Sequence, residues 1–188
     1  MFATSSYWDR FFASDAPFDC FFDWSAVEAV FLRHFRDAAL VVHVGNGQSL
    51  VPVHAACATA HQLQLVTDVS EVATRHLAAR FQSNARLAFV CCDATRLPFA
   101  SGSIAAVFDK GTLDALIYDA ALADAYVREL VRVLRVGGVA LVFACCVAEG
   151  DGGGSDAFLR RQAVDLDVQC EKFDELRWLL TVTRRSPD

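Results

Sequence analysis

LVVHVGNGQSL (residues 40–50) is the stretch from which the fold is read. Leu40, Val41, Val42 and Val44 lead into Gly45-Asn46-Gly47, and Ser49 opens a run that can be helical. A hydrophobic strand that ends in a glycine turn and opens a helix is a device for holding a nucleotide-like ligand. The first glycine allows the tight turn and the second lets the backbone approach the ligand closely. Taken alone the pattern is weak, because glycine turns between strands and helices are common.

On the C-terminal side the pattern repeats. A helix is expected over about 49–60, with Pro52 tolerated in its first turn. Leu63 to Thr67 reads as a second strand ending at Asp68, and Ser70 can cap a helix over 71–82. A third strand, Leu87 to Cys92, ends at Asp93, and a fourth, Ile104 to Phe108, ends at Asp109. Ala123, Val127, Leu130, Val131 and Leu134 share one side of a helix over about 120–135. Gly137-Gly138 is expected to stop that helix before a fifth strand, Val139 to Cys145. Gly150 to Gly154 reads as a surface loop, followed by a short helix over 156–163. Val164 to Phe173 and Leu176 to Arg184 suit an antiparallel hairpin with a turn of two or three residues.

On the N-terminal side, Ser25-Ala-Val-Glu28 has the form of a capping box. Val27, Val30, Phe31 and Phe35 then recur at helical spacing over 26–36. Residues 1–24 hold Tyr7, Trp8, Phe11, Phe12, Phe18, Phe21, Phe22 and Trp24, either as an arm packed over the domain or as a lid over a ligand. The expected organisation is a single domain over 1–188: the arm at 1–24, a core at 25–149, and a loop, helix and hairpin at 150–188. Strand–helix alternation makes it an α/β fold with a mostly parallel sheet and helices on both faces.

Composition narrows the function classes. The chain of 188 residues is 54% hydrophobic and 21% charged, as in a well-packed globular protein. A net charge of −6 offers no footprint for a phosphate backbone, so no nucleic-acid partner is expected. The short basic groups, Arg132 with Arg135, Arg160-Arg161 and Arg184-Arg185, read as solvated helix faces and strand ends. Seven cysteines occur without a C-x-x-C. The pairs Cys91-Cys92 and Cys145-Cys146 lie in strand-like runs, which points to buried free thiols in a reducing compartment and to no metal site. MFATSSYWDRFF has no signal-peptide pattern, and the apolar run Val139 to Ala148 is too short to cross a bilayer. A soluble, cytoplasmic protein with no membrane partner is expected.

Asp68, Asp93 and Asp109 each follow a strand, and in a doubly wound sheet they gather at the carboxyl ends where ligands lie. Aspartates also cap helices at such turns, so one alone would carry little. Three in register with a G-x-G favour a ligand. Asp68 stands about twenty residues beyond the glycine turn, the spacing of an acid that accepts from ribose hydroxyls. Leu50 stands where a dinucleotide fingerprint needs its third glycine, and no Lys ends the loop as in a P-loop. A ribose and an adenine without a pyrophosphate fit better, and S-adenosylmethionine has that shape.

GNGQS (45–49), Asp68, Asp93 and LVRVLRVGG (130–138) resemble the class I S-adenosylmethionine-dependent methyltransferases. FDKGTLDAL (108–116) is more specific. It resembles the E/D-K-G-T-L-D-A signature of the methyltransferase-like family that contains the lysine methyltransferases of translation elongation factor 1A. YWDRFF (7–12) and PFDCFFDWS (17–25) resemble that family's N-terminal segments. The resemblance, from about Tyr7 to Arg185, implies a Rossmann-like, doubly wound seven-stranded sheet closed by an antiparallel hairpin. It implies S-adenosyl-L-methionine as cofactor and a protein substrate, with a translation elongation factor as the candidate. Trp8 and Phe12 would cover the cofactor, Gly45 would approach its methionyl part with Gly47 beside it, and Asp68 would hold the ribose. Val69 would lie beside the adenine, Asp93 would accept from its amino group with Ala94 adjacent, and Lys110 would border the pocket.

The chain departs from the family at three places. A cofactor-contacting Trp is Cys20 here, the following Gly is Phe22, and G-C-G-N-S has become GNGQS. His43 occupies a place that the wider class often gives to an acid, and reads as a strand histidine. For methyl transfer to a lysine, Asp109 is the first candidate to orient the amine and Asp114 the second. Two other readings stay open: a non-catalytic interaction protein that keeps the fold, and a small-molecule methyltransferase.

Overall fold

The computed structural model describes residues 4–13, 23–145, 154–161 and 165–186. β1 (Leu40–Val44) is buried on both sides except at Leu40, so it needs apolar residues at successive positions. It lies between β2 (Leu63–Asp68) and β4 (Ile104–Lys110) and is parallel to both. β3 (Leu87–Cys91) continues the parallel sheet beyond β2, and β5 (Leu134–Ala144) continues it beyond β4. β7 (Trp178–Arg184) runs antiparallel to β5, and β6 (Leu166–Lys172) antiparallel to β7. The seven strands are ordered β3-β2-β1-β4-β5-β7-β6, so winding reverses between β1 and β4. That reversal opens a crevice at the carboxyl ends of the strands.

Both faces are covered. α2 (Trp24–Phe35) and α3 (Val51–Ala58) pack Val27, Phe31, Phe35, Val51 and Ala55 against Val41, Phe108 and Leu141. On the other face α6 (Ala120–Val133) packs Ala123, Tyr126, Val127 and Leu130 against Val42, Val44, Val107 and Ala140. α4 (Glu71–Arg80) follows β2 and is capped by Ser70, whose hydroxyl accepts from the Ala73 amide. No helix among the described residues is long and apolar enough to cross a membrane.

The local chemistry differs from expectation at several points. α2 is capped by Asp23 and not by Ser25. The Ala26 amide donates to the Asp23 carboxylate at 3.4 Å, and the Ser25 hydroxyl donates to it at 2.7 Å. A charged acceptor just before the helix outcompetes a hydroxyl already inside it. Gly137 and Gly138 do not end α6, which stops at Val133, but lie within β5. Gly137 has φ +71°, and a Cβ on Gly138 would lie 2.8 Å from the Arg135 carbonyl and 2.9 Å from that of Ile104. The pair therefore shapes the irregularity in the β4–β5 register between Ile104 and Ala106.

The β6–β7 turn, residues 173–177, is longer than predicted and is built around Asp174, which accepts from the amides of Leu176 and Arg177. Arg132 is not merely solvated: its guanidinium donates to the carbonyls of Phe99 and Leu97 at 2.7 and 2.9 Å and pairs with Glu129. No disulfide joins the described cysteines, but none of them is buried, and Cys146 lies outside the described residues. Cys57, Cys91 and Cys145 are exposed, and Cys92 and Cys170 are half-buried. β3 is an edge strand and Cys145 lies just beyond β5, so neither site is closed on both sides.

His43 is a strand histidine, 1% exposed, with Phe31 and Phe108 on its ring. Its Nε2 lies 2.8 Å from Gln64 Oε1, which continues through Gln62 to Thr59 in a buried polar chain. Among the described residues its Nδ1 has no partner. Burial pushes its pKa down to about 4, so the ring is neutral near pH 7.

Candidate functional site

A cavity of about 380 Å³ lies at the carboxyl ends of β1 to β4, within the range of small-molecule sites. Its floor begins with the glycine turn. Gly45 and Gly47 have φ +60° and +57°, where a side chain is strained. The Asn46 amide donates to the Thr67 carbonyl at 3.0 Å and pins the turn to β2.

The space that each glycine leaves is filled by the protein itself. A Cβ on Gly45 would lie 2.0 Å from the Thr112 hydroxyl oxygen, and that hydroxyl donates to the Val44 carbonyl at 2.8 Å. A Cβ on Gly47 would lie 2.6 Å from Cζ of Phe12. The glycines thus let α5 (Thr112–Leu116) and the arm close onto the turn. Gly45→Ala combines a strained φ with a clash against Thr112, and should lose roughly 2–4 kcal/mol in urea unfolding. Wild-type stability in that variant would reject the packing account.

Asp68 ends β2 and is 6% exposed. Its carboxylate accepts from the Gly47 amide at 2.6 Å and from the Ser70 amide at 2.7 Å. The twenty-residue spacing in the sequence is thus a direct bond between turn and acid. Burial raises the Asp68 pKa, and the amides of Ser70 and Gly47 oppose that rise. Val69 stands beside it on the cavity wall. Asp93 is exposed and caps a short 3₁₀ turn, Ala94–Arg96, accepting from the Thr95 amide and hydroxyl at 2.8 Å each.

The two carboxylates expected to act on an amine are both buried, but only one reaches the cavity. Asp109 is fully buried and is not part of the cavity wall. It accepts from the amides of Thr112 and Leu113 at 2.7 and 3.2 Å and from the Tyr126 hydroxyl at 2.9 Å. Its surroundings cap α5 and tie it to α6, so the expectation that Asp109 orients an amine is corrected. Burial pushes its pKa up to about 7 against the pull of those donors. Asp114, 7% exposed, does line the cavity. It accepts from the Cys145 amide at 2.6 Å and from the Ser155 hydroxyl.

The arm forms α1 (Ser5–Phe11). Tyr7, Trp8, Phe11 and Phe12 line the cavity, with Trp8 and Phe12 stacked at 5.7 Å between centroids. Trp8, Phe12, Gly45, Gly47, Asp68, Val69, Asp93, Ala94 and Lys110 are therefore brought to one wall system, while Cys20 and Phe22 lie outside the described residues. Sequence reasoning missed Thr112, although it stands inside the KGT segment, and also Tyr118 and Leu122, which only the path of α5 into α6 brings to the cavity.

These residues fit an adenosyl ligand that carries a cationic sulfur. A buried carboxylate ends β2 against the glycine turn, a second follows β3, and aromatic faces offer a cation favourable contact. The class is that of the S-adenosylmethionine-dependent methyltransferases. The chain belongs to the methyltransferase domain family, which matches residues 39–138. It is 34% identical over 142 residues to a zebrafish (Danio rerio) eEF1A lysine and N-terminal methyltransferase, covering 73% of this chain and 20% of the relative. The Xenopus laevis protein of the same name is 34% identical over 151 residues, covering 73% and 21%. The chain thus spans about a fifth of the length of the curated relatives it matches.

Among solved structures it resembles the N-methyltransferase NodS from Bradyrhizobium japonicum, in complex with S-adenosyl-L-homocysteine. The TM-score is 0.68 and the identity 16%, over 97% of this chain and 98% of that one. The [4+2]-cyclase SpnF matches with a TM-score of 0.69 and 16% identity, over 89% and 84%. At these identities the likeness is one of fold.

Proposed function

We propose that this chain transfers a methyl group to a lysine of a protein substrate, and that Asp114 is the carboxylate facing the acceptor. The observation that carries this reading is the position of the KGTLDAL segment, which closes on the glycine turn through Thr112 and presents Asp114 to the cavity. The printed names of the relatives point to elongation factor 1A as the substrate to try first. We assign the whole chain to one catalytic module, acting in the cytoplasm where the exposed thiols stay reduced.

Bound S-adenosylmethionine supplies a methyl group on a sulfonium, already an excellent leaving group. The protein's share of the work is alignment and desolvation. Asp68 is held rigid by the Gly47 and Ser70 amides and keeps lone pairs for ribose hydroxyls. Trp8 and Phe12 cover the cavity from the arm, and Asp93, Val69 and Ala94 form the adenine side. Lys110 borders the cavity at the end of β4.

An acceptor lysine must lose its proton, which near pH 7 costs about 4–5 kcal/mol from an unperturbed pKa of roughly 10.4. A dry aromatic mouth lowers that cost by disfavouring the charged amine, and a fixed carboxylate aligns it. Asp114 is fixed in this way by the Cys145 amide and Ser155. Asp109 positions α5 from beneath and does not meet the substrate.

Asp114→Asn keeps an acceptor for the Cys145 amide and a partner for Ser155 while removing the charge. Steady-state methylation of elongation factor 1A with labelled cofactor should show kcat lowered about tenfold or more, with cofactor KM and melting temperature unchanged. Full activity in that variant rejects the assignment. Label that enters a metabolite fraction and no protein would replace the lysine reading with the small-molecule one.

A further inference from the structure

The attachment of α1 to the rest of the fold follows a closed circuit. Asp9 on α1 accepts from the Ser70 hydroxyl at 2.7 Å and from the Val72 amide at 3.2 Å, at the start of α4. The Ser70 amide donates to Asp68 at 2.7 Å, and the other Asp68 oxygen accepts from Gly47 at 2.6 Å. Gly47 is covered by the ring of Phe12, the buried residue that follows α1 as its C-cap. The Phe12 carbonyl in turn accepts from Gln48 Nε2 at 3.3 Å. The circuit begins and ends on the arm and passes through the acid assigned to the ribose.

α1 meets α4 through Asp9. It is seven residues long, too short to persist as an isolated helix, and none of its own residues is buried. Its rings face a cavity and not a packed core, so they gain less than core aromatics do. For so short a helix, two hydrogen bonds to a charged acceptor are a large share of what can hold it docked. The Asp9 carboxyl is held below the usual carboxylate range, first by the Ser70 hydroxyl and then by the Val72 amide. Charge on Asp9 also pushes the Asp68 pKa up, so the two carboxylates sense one another across Ser70.

We propose that Asp9 is the latch of a lid formed by α1, and that lid closure and occupancy of the Asp68 site are coupled through Ser70. The coupling rests on the cofactor reading, whereas the latch does not. Asp9 is a positioning residue: it holds the rings of Trp8 and Phe12 over the site and does not line the cavity itself. Thermodynamic reciprocity then requires that whatever opens the lid weakens the ligand by the same factor that the ligand strengthens closure.

Arg10 is exposed on α1 and is a trypsin site that a docked helix protects. Release of residues 1–10, followed by mass spectrometry in the ligand-free protein, should be about tenfold faster for Asp9→Ala and intermediate for Asp9→Asn. S-adenosylhomocysteine should slow release from the wild type, and calorimetry should find its Kd weaker in Asp9→Ala by a similar factor. Equal release rates and equal Kd values, with only a lower melting temperature, would make Asp9 a simple cap of α4 and overturn the proposal. Faster ligand-free release with no effect of S-adenosylhomocysteine would uphold the latch and overturn the coupling. Wild-type protein that binds no S-adenosylhomocysteine would reject the cofactor reading, while the ligand-free comparison still decides the latch.

Discussion

Asp68→Ala should weaken S-adenosylmethionine binding by about tenfold or more in titration calorimetry, since each lost hydrogen bond to a charged acceptor is worth roughly 1.5–3 kcal/mol. The structure adds a second consequence. Both Asp68 oxygens already accept backbone amides, from Gly47 and Ser70, so alanine leaves two buried donors without their acceptor. The glycine turn and the start of α4 should loosen together, lowering the melting temperature while far-UV circular dichroism stays that of the wild type. The Phe12 ring, seated on Gly47, should become more mobile in the same variant. Unchanged affinity would reject the ribose assignment. Lost affinity with unchanged melting temperature would reject the structural half of the account.

The second large effect concerns pH. Asp109 has its pKa raised from 3.8 to about 7, and His43 has its own lowered from 6.5 to about 4. For Asp109 the folded state holds a proton between about pH 4 and 7 that the unfolded state has released. Its contribution to stability is therefore full below that window and is lost as pH rises, by about 1.4 kcal/mol per pH unit. For His43 the unfolded state holds the extra proton between about pH 6.5 and 4. Its contribution is full above the window and is lost as pH falls, at the same rate with the opposite sign.

Between about pH 4 and 6.5 the two slopes oppose each other in the wild type, and each single variant should expose the other. Asp109→Asn should be most destabilising near pH 4 and progressively less so towards pH 7. His43→Gln should be most destabilising above pH 6.5 and progressively less so towards pH 4. Urea unfolding at half-unit pH steps measures both. A pH-independent difference between either variant and the wild type would reject the corresponding assignment.

Much of the sheet was legible because its signals are local. LVVHV, LQLVTD and IAAVFDK carry their own apolar patterning, and Ser70 its own cap. The acids at strand ends were legible because a strand fixes where its last residue emerges. What misled the reading was competition between neighbours of similar chemistry. Asp23 displaced Ser25 as a cap, and the glycine pair at 137–138 served a strand where a helix stop was expected. Of the thiols read as buried, Cys91 and Cys145 proved exposed and Cys92 half-buried, while Cys146 lies outside the described residues; strand patterning cannot say which strand forms an edge.

By itself the sequence determined the order of the strands and of the helices between them other than α5, the glycine turn, and three aspartates bound for one end of the sheet. Hydrophobic period and turn chemistry act within a few residues, so they can be read in one dimension. Only the tertiary structure decided that Asp109 lies beneath the site and Asp114 at its wall, though five positions separate them. Only it placed Thr112 on Gly45, Phe12 on Gly47 and Asp9 on Ser70. These depend on how far a helix overlies a strand and which polar groups find partners once water is excluded. Such contacts join residues tens of positions apart, and no local pattern encodes them.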